Sequence, residues 1–215
     1  MTGRAFGGNV EPQQAAEEGE TTMKILCAAV SVAILSLASP TLARQSGDGD
    51  ILQKAINKPS ANWQVYGANQ KTSTVKDKAV AGGGGMKVEV QKASDKPWEV
   101  GAQQPLTGKV SKNDVILIAF WAKAEAVDGG TAAADLSSVR VQQASAPYDA
   151  AVQGSAKVSG ADWKMYTVPG RATMDIAAGG ANVALHLGSA KQTVVLGPVF
   201  VLDFGPDYDL KKLAQ

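Results

Sequence analysis

Residues 96–126 read KPWEVGAQQPLTGKVSKNDVILIAFWAKAEA, and the fold turns on this stretch. Lys96-Pro97-Trp98 leads into the amide pair Gln103-Gln104. Asn113-Asp114 is a turn signal, and Val115 to Lys123 follows as a dense apolar run. A run apolar at both odd and even positions predicts a central strand covered on both faces. Trp98 to Gln104 reads as the extended piece before it.

The chain on either side has the same grain. Asn62 to Ala68 reads as a first strand. Met86 to Ala93 follows a Gly82–Gly85 loop and alternates, with Met86, Val88 and Val90 on one face and Lys87, Glu89 and Gln91 on the other. Ser137 to Ala144 alternates again, Val139 and Val141 inward and Arg140 and Gln142 outward. Gly129 to Asp135 reads as a mobile loop, with a helical turn as the alternative, and Pro147-Tyr148-Asp149 as a turn or loop. Trp163 to Val168 is a strand with Trp163 and Met165 opposite Tyr166. Ala181 to Gly188 sets Val183, Leu185 and Leu187 against His186. Thr193 to Phe204 is a long closing strand, interrupted at Gly197-Pro198. Eight to ten such strands without a convincing amphipathic helix predict an all-β, two-sheet antiparallel β-sandwich, with a jelly roll the natural form at this length.

The N-terminus reads differently. Residues 23–43, MKILCAAVSVAILSLASPTLA, have the Lys24 n-region, an apolar run Ile25–Leu37 and small residues ahead of a cleavage site at Ala43. That is the pattern of a secretory signal peptide, with a run shorter than the about 20 residues of a membrane span. Residues 1–22 are acidic and unsuited to an n-region, so they read as a spurious extension ahead of a start at Met23. Residues 44–61 are then a lead-in, 62–205 the sandwich and 206–215 a polar tail. The expected location is secreted or periplasmic, with no membrane span in the mature chain.

Composition excludes much. The chain has 21 basic and 20 acidic residues, a formal net charge of +1. This balance implies neither nucleic acid nor an anionic membrane as partner. Cys27, inside the signal, is the single cysteine, so the mature chain has no disulfide, thiol nucleophile or thiolate metal site. His186 is the single histidine. A triad would have to use it, yet no G-x-S-x-G elbow is present; an H-E-x-x-H zinc motif needs two histidines. There is no P-loop, and no E-x-D-x-x-E pattern that would face two carboxylates across a glycosidic bond. No catalytic residues are assigned.

A site for a neutral polyhydroxylated ligand needs an aromatic platform beside fixed amides, because buried hydroxyls left unpaired are costly. Trp98 qualifies, balanced between a site residue and a structural plug. Gln103, Gln104, Gln142, Gln143 and Gln192 supply amides. Tyr148 suits a rim. Arg140 and Gln142 also fit a solvated sheet face, and His186 a surface or hydrogen-bonded histidine. Trp63, Trp121 and Trp163 read as core, since they share strands with apolar residues.

The order of these pieces is familiar: Trp98, Gln103-Gln104, Pro105-Leu106, Gly108, Phe120-Trp121-Ala122-Lys123-Ala124, Val139-Arg140-Val141-Gln142, Pro147-Tyr148, Trp163-Lys164-Met165-Tyr166 and Leu196-Gly197-Pro198-Val199-Phe200-Val201-Leu202-Asp203. Together they resemble the carbohydrate-binding modules of families 4 and 9, with relatives in family 22, over roughly Asn62 to Gly205. The resemblance implies a galactose-binding-like jelly roll that binds β-linked polysaccharide, such as xylan or β-glucan, without cleaving it. It carries Trp98, Gln103, Gln142 and His186 onto the sugar site. It also implies a structural calcium, with Asp203 at the acidic position of the last strand, although no acidic N-terminal partner is evident in Ile56 to Trp63. Association with a glycoside hydrolase follows from the same resemblance. The competing expectations are a structural or adaptor domain that binds another exported protein, and a small hydrolase built on His186.

Overall fold

The structure, a computed structural model, describes residues 51–213. The expected extension and export signal, residues 1–43, lie outside the described residues. The described residues form ten strands: β1 Gln64–Tyr66, β2 Gln70–Lys76, β3 Gly84–Val90, β4 Gly101–Pro105, β5 Val115–Glu125, β6 Ala133–Gln143, β7 Ala150–Ser159, β8 Lys164–Arg171, β9 Ala181–His186 and β10 Gln192–Asp203. They make two antiparallel five-stranded sheets, in the orders β1-β4-β9-β6-β7 and β2-β3-β10-β5-β8. The protein is an all-β jelly-roll sandwich.

Alternation explains which side chains fill it. On β5, Ile116, Ile118, Phe120, Ala122 and Ala124 point between the sheets. They meet Val139 and Val141 of β6 and Val183 and Leu185 of β9 from the other sheet. Phe120 is fully buried and stacks on Tyr166 of β8, with ring centroids 5.9 Å apart. Truncating such an aromatic costs about 3–5 kcal/mol. Trp63 is core as expected, its indole N–H donating to the Gly197 carbonyl at 2.8 Å. The expected break at Gly197-Pro198 is a register shift between Leu196 and Val199 in the β10–β5 pairing.

Why β5 is apolar on both faces is also visible. Its other face carries Leu117 and Ala119, which join Leu202 in a small second cluster covered by Ala55, Phe204 and Leu213 from the two ends of the described chain. Trp121 lies on that same outer face, and this corrects the expectation that Trp121 and Trp163 are core. Both are half-buried outside the sandwich, against Gly197 and Val80. Trp163 Nε1 donates to Asp77 Oδ2 at 2.8 Å, and Lys123 Nζ pairs with that same oxygen at 2.9 Å while sitting 4.9 Å from the Trp163 ring centroid. The hydrogen bond from the Ala79 N–H, with those from Lys123 and Trp163, holds the Asp77 carboxyl down at about 2.

Three local departures matter. Pro97–Glu99 is a 3-10 turn, closed by Glu99 N–H to the Lys96 carbonyl, so β4 starts at Gly101 rather than at Trp98. The segment expected to be a loop up to Asp135 already enters β6 at Ala133. Strands β2 and β7 were not anticipated; both are sheet edges. Among the described residues, no helix is long and apolar enough to cross a membrane.

Candidate functional site

The outward face of the β1-β4-β9-β6-β7 sheet is built in rows by register. Tyr66, Gly101, His186 and Ser138 lie side by side across four strands. Gln64, Gln103, Ala184 and Arg140 form the next row, and Pro105, Asn182 and Gln142 the third. Rows on one face repeat every two residues, about 7 Å, so three rows cover about 13 Å along the strands. The floor is low where Gly101 and Ala184 supply almost no side chain. A Cβ on Gly101 would overlap the phenol ring of Tyr66, so glycine there lets Tyr66 lie down on the sheet.

Two loops raise walls on this floor. The Pro97–Glu99 turn presents Trp98, 54% exposed, and the Ser145–Asp149 loop presents Tyr148, 51% exposed. Tyr148 N–H closes a turn onto the Ser145 carbonyl at 2.9 Å, and its own carbonyl accepts from Arg140 Nη2 at 3.0 Å. The open-sided cavity between them is about 530 Å³ and is lined by Tyr66, Trp98, Gln103, Arg140, Gln142, Ala144, Pro147, Tyr148, Asp149 and His186. That volume is in the usual range for a small-molecule site. The five residues expected to meet a sugar, Trp98, Gln103, Gln142, Tyr148 and His186, all border this one space.

The polar groups are partly committed and partly free. Asn182 Nδ2 donates to Gln103 Oε1 at 3.1 Å, which fixes that amide. Gln142 Oε1, Asn182 Oδ1 and Arg140 Nε are buried without a hydrogen-bond partner. Unpaired buried polar atoms are costly, and a ligand or ordered water is the usual remedy. His186 is buried; burial first and the Arg140 charge second push its pKa down to about 4. At neutral pH it is a neutral imidazole with one donor and one acceptor nitrogen. Burial raises the Tyr66 phenol, opposed by Arg140, and burial lowers the Arg140 guanidinium, opposed by Tyr66 and Asp149.

Other expected amides are structural. Gln104 Nε2 donates to the Ser60 carbonyl, tying the lead-in to β4. Gln192 clamps β6, accepting from Asp135 N–H and donating to the Asp135 and Leu187 carbonyls. Gln143 accepts from Asp149 N–H and steadies the loop. Tyr66, Asn182 and Asp149 were missed. For Asn182 a signal existed: it is four residues before His186 on one strand, hence on the same face.

The hydrolase expectation needed a serine in reach of His186 and a carboxylate behind it. Ser138 is opposite His186 in the register, but its hydroxyl is without a hydrogen-bond partner. Asp203, the expected calcium ligand, is on the other sheet beside Asp114. Its Oδ1 accepts from Gly205 N–H at 2.8 Å. Burial, and then the Asp114 carboxyl, push Asp203 above the usual carboxylate range against that hydrogen bond. Calcium takes 6–8 oxygens, and among the described residues no group of three or more His, Cys, Asp or Glu could hold a metal. Asp203 and Asp114 bring two carboxylates toward such a set.

The chain is similar in structure to a CBM4 structure, with TM-score 0.49, 16% identity, 66% of this chain and 94% of that one covered. It is similar to the CBM22-1 xylan-binding domain of Paenibacillus barcinonensis Xyn10C, with TM-score 0.46, 19% identity and coverage of 70% and 91%. The arabinose-bound MgGH51 α-L-arabinofuranosidase gives TM-score 0.52 and 16% identity, over 74% of this chain and 27% of that one. What the chain shares with the last of these is a fold. No protein-family model matches the sequence, and no curated protein does.

Proposed function

We propose that this protein binds carbohydrate without cleaving it, in the cavity on the outer face of the β1-β4-β9-β6-β7 sheet. The observation that carries this is convergence. Trp98, Gln103, Gln142, Tyr148 and His186 come from distant parts of the sequence and surround one open space. Two exposed rings offer platforms for the apolar face of a pyranose. Amides and a neutral imidazole offer donors and acceptors for its hydroxyls. The ligand class is a β-linked polysaccharide or oligosaccharide such as xylan or β-glucan. Export to the periplasm or beyond, and work alongside a glycoside hydrolase, belong to the same proposal. The adaptor alternative called for a face filled with bulky aliphatic side chains; the polar lining of this cavity favours the sugar.

The test is retention of the purified protein in affinity gels containing xylan, β-glucan and other β-linked polymers, extended by a glycan array. Retardation by at least one polymer, with no new reducing ends released, is expected. Retention on none of a broad panel sinks the proposal.

A further inference from the structure

Arg140 has more capacity than a neutral sugar uses. Its guanidinium lines the cavity and is half-buried. One nitrogen donates to the Tyr148 carbonyl at 3.0 Å, and Nε is buried with no partner. Among the described residues it forms no ion pair with a carboxylate. A guanidinium partly removed from water, answered only by a carbonyl, is under-compensated. Its planar fork matches a carboxylate through two parallel N–H···O bonds, which hydroxyls do not reproduce.

The other titratable groups around the cavity are Tyr66, Tyr148, Asp149 and His186. Asp149 carries the opposing formal charge, on the exposed loop after Tyr148. It attracts Arg140 from a distance without pairing with it. The cation is therefore the more buried charge and the anion the more hydrated one, an arrangement that favours an incoming anion at the sheet surface.

We propose that the cavity selects a glycan bearing carboxylates, that is, a uronic-acid-containing polysaccharide. Its carboxylate pairs with the Arg140 guanidinium while a ring stacks on Trp98 or Tyr148. This rests on the carbohydrate reading of the same cavity and narrows its ligand class.

The experiment compares acidic polymers with their own neutral forms. Glucuronoxylan and β-(1→4)-linked mannuronate oligomers are each measured beside their carboxyl-reduced forms by isothermal titration calorimetry. The wild type is expected to bind at least one acidic form about tenfold or more tighter than its reduced counterpart, the scale of one charge-assisted contact. The ratio should shrink with added NaCl. Arg140→Gln should bring it toward one, Arg140→Lys should keep part of it, and Asp149→Asn should raise it by removing the competing carboxylate. Equal binding of acidic and reduced polymers by the wild type overturns the charge assignment and leaves the sugar site standing. Binding of neither form overturns the acidic-glycan assignment, and the sugar site is then decided by the broad polymer panel. A folded Arg140→Gln protein that keeps the wild-type ratio also overturns the role of Arg140. The wild-type comparison decides even where that variant does not fold.

Discussion

Trp98→Ala separates a binding role from a structural one. The side chain is 54% exposed. A tryptophan buries roughly 150–250 Å² when covered, so about 80–135 Å² of it remains for a ligand. A sugar ring covers one face, which halves the area to about 40–70 Å², or about 1–2 kcal/mol at about 25 cal/mol per Å². Binding should therefore weaken roughly 5- to 30-fold. Stability should change little, by less than about 1 kcal/mol, because the indole is outside the clusters that hold the sandwich together. Affinity electrophoresis against a retained polymer reads the first quantity, and thermal melting reads the second. Trp98→Phe keeps a platform and should keep most of the retention. A Trp98→Ala protein retained as strongly as the wild type, with an equal melting temperature, refutes the stacking role. A large drop in melting temperature would instead make Trp98 a structural plug.

Gly101→Ala puts a methyl where the Tyr66 ring lies and 2.8 Å from the Leu185 carbonyl oxygen; the ring is expected to swing into the cavity and weaken binding, and the two contacts together cost about 1–3 kcal/mol of stability from overpacking. Affinity gels and melting curves check both, and unchanged binding would show that Tyr66 does not shape the floor. Asp77 has a folded pKa of about 2, below its ordinary value of 3.8, so its stabilising contacts are complete above 3.8 and are lost as pH falls through about 2. Trp163 fluorescence should report loosening over that window in the wild type, and Asp77→Asn should show the loosened signal already at neutral pH. Asp203 has a raised pKa, so its contribution is complete below its unfolded value and is lost as pH rises through the folded one. Asp203→Asn should therefore melt higher than the wild type at neutral pH, with the gap closing below about pH 4. Calcium that raises the wild-type melting temperature, but not that of Asp203→Asn, would replace this account with a metal site.

The legible parts of the fold were those where burial imposes a period. Val139 and Val141 against Arg140 and Gln142, and Val183 and Leu185 against His186, alternate because one face meets the core and the other meets the cavity. The strands that escaped are edges. β2 reads QKTSTVK with a single apolar residue, and β7 reads AAVQGSAKVS, where small residues do the packing. An edge strand needs little apolar surface, and polar edges discourage pairing with other chains. The Trp121 error has a different cause. Where both faces of β5 are apolar, composition does not say which face is inside, and Leu117 and Ala119 give the outer one an apolar look. The site was half legible for a similar reason. Trp98, Gln103 and His186 could be named one by one. Tyr66 and Asn182 joined them only once the β1–β4–β9–β6 register put them in the same rows.

A sandwich has two outer faces, and here the chain closes one and leaves the other open. Over β5 and β10, Trp121, Trp163 and Val80 cover Gly197. Asp77 pins that cover through Lys123 and Trp163, and Leu213 packs on the neighbouring apolar cluster from the C-terminal end. Aromatic residues on this face are spent on structure. On the opposite face the corresponding floor is Gly101 and Ala184, too small to fill the space, and the rings stand at its margins, more than half exposed. Polar atoms among them remain unpaired. Exposed rings and unsatisfied buried polar groups both cost stability. Their concentration around one cavity, while the other face is covered, is the physical argument for a ligand at this site.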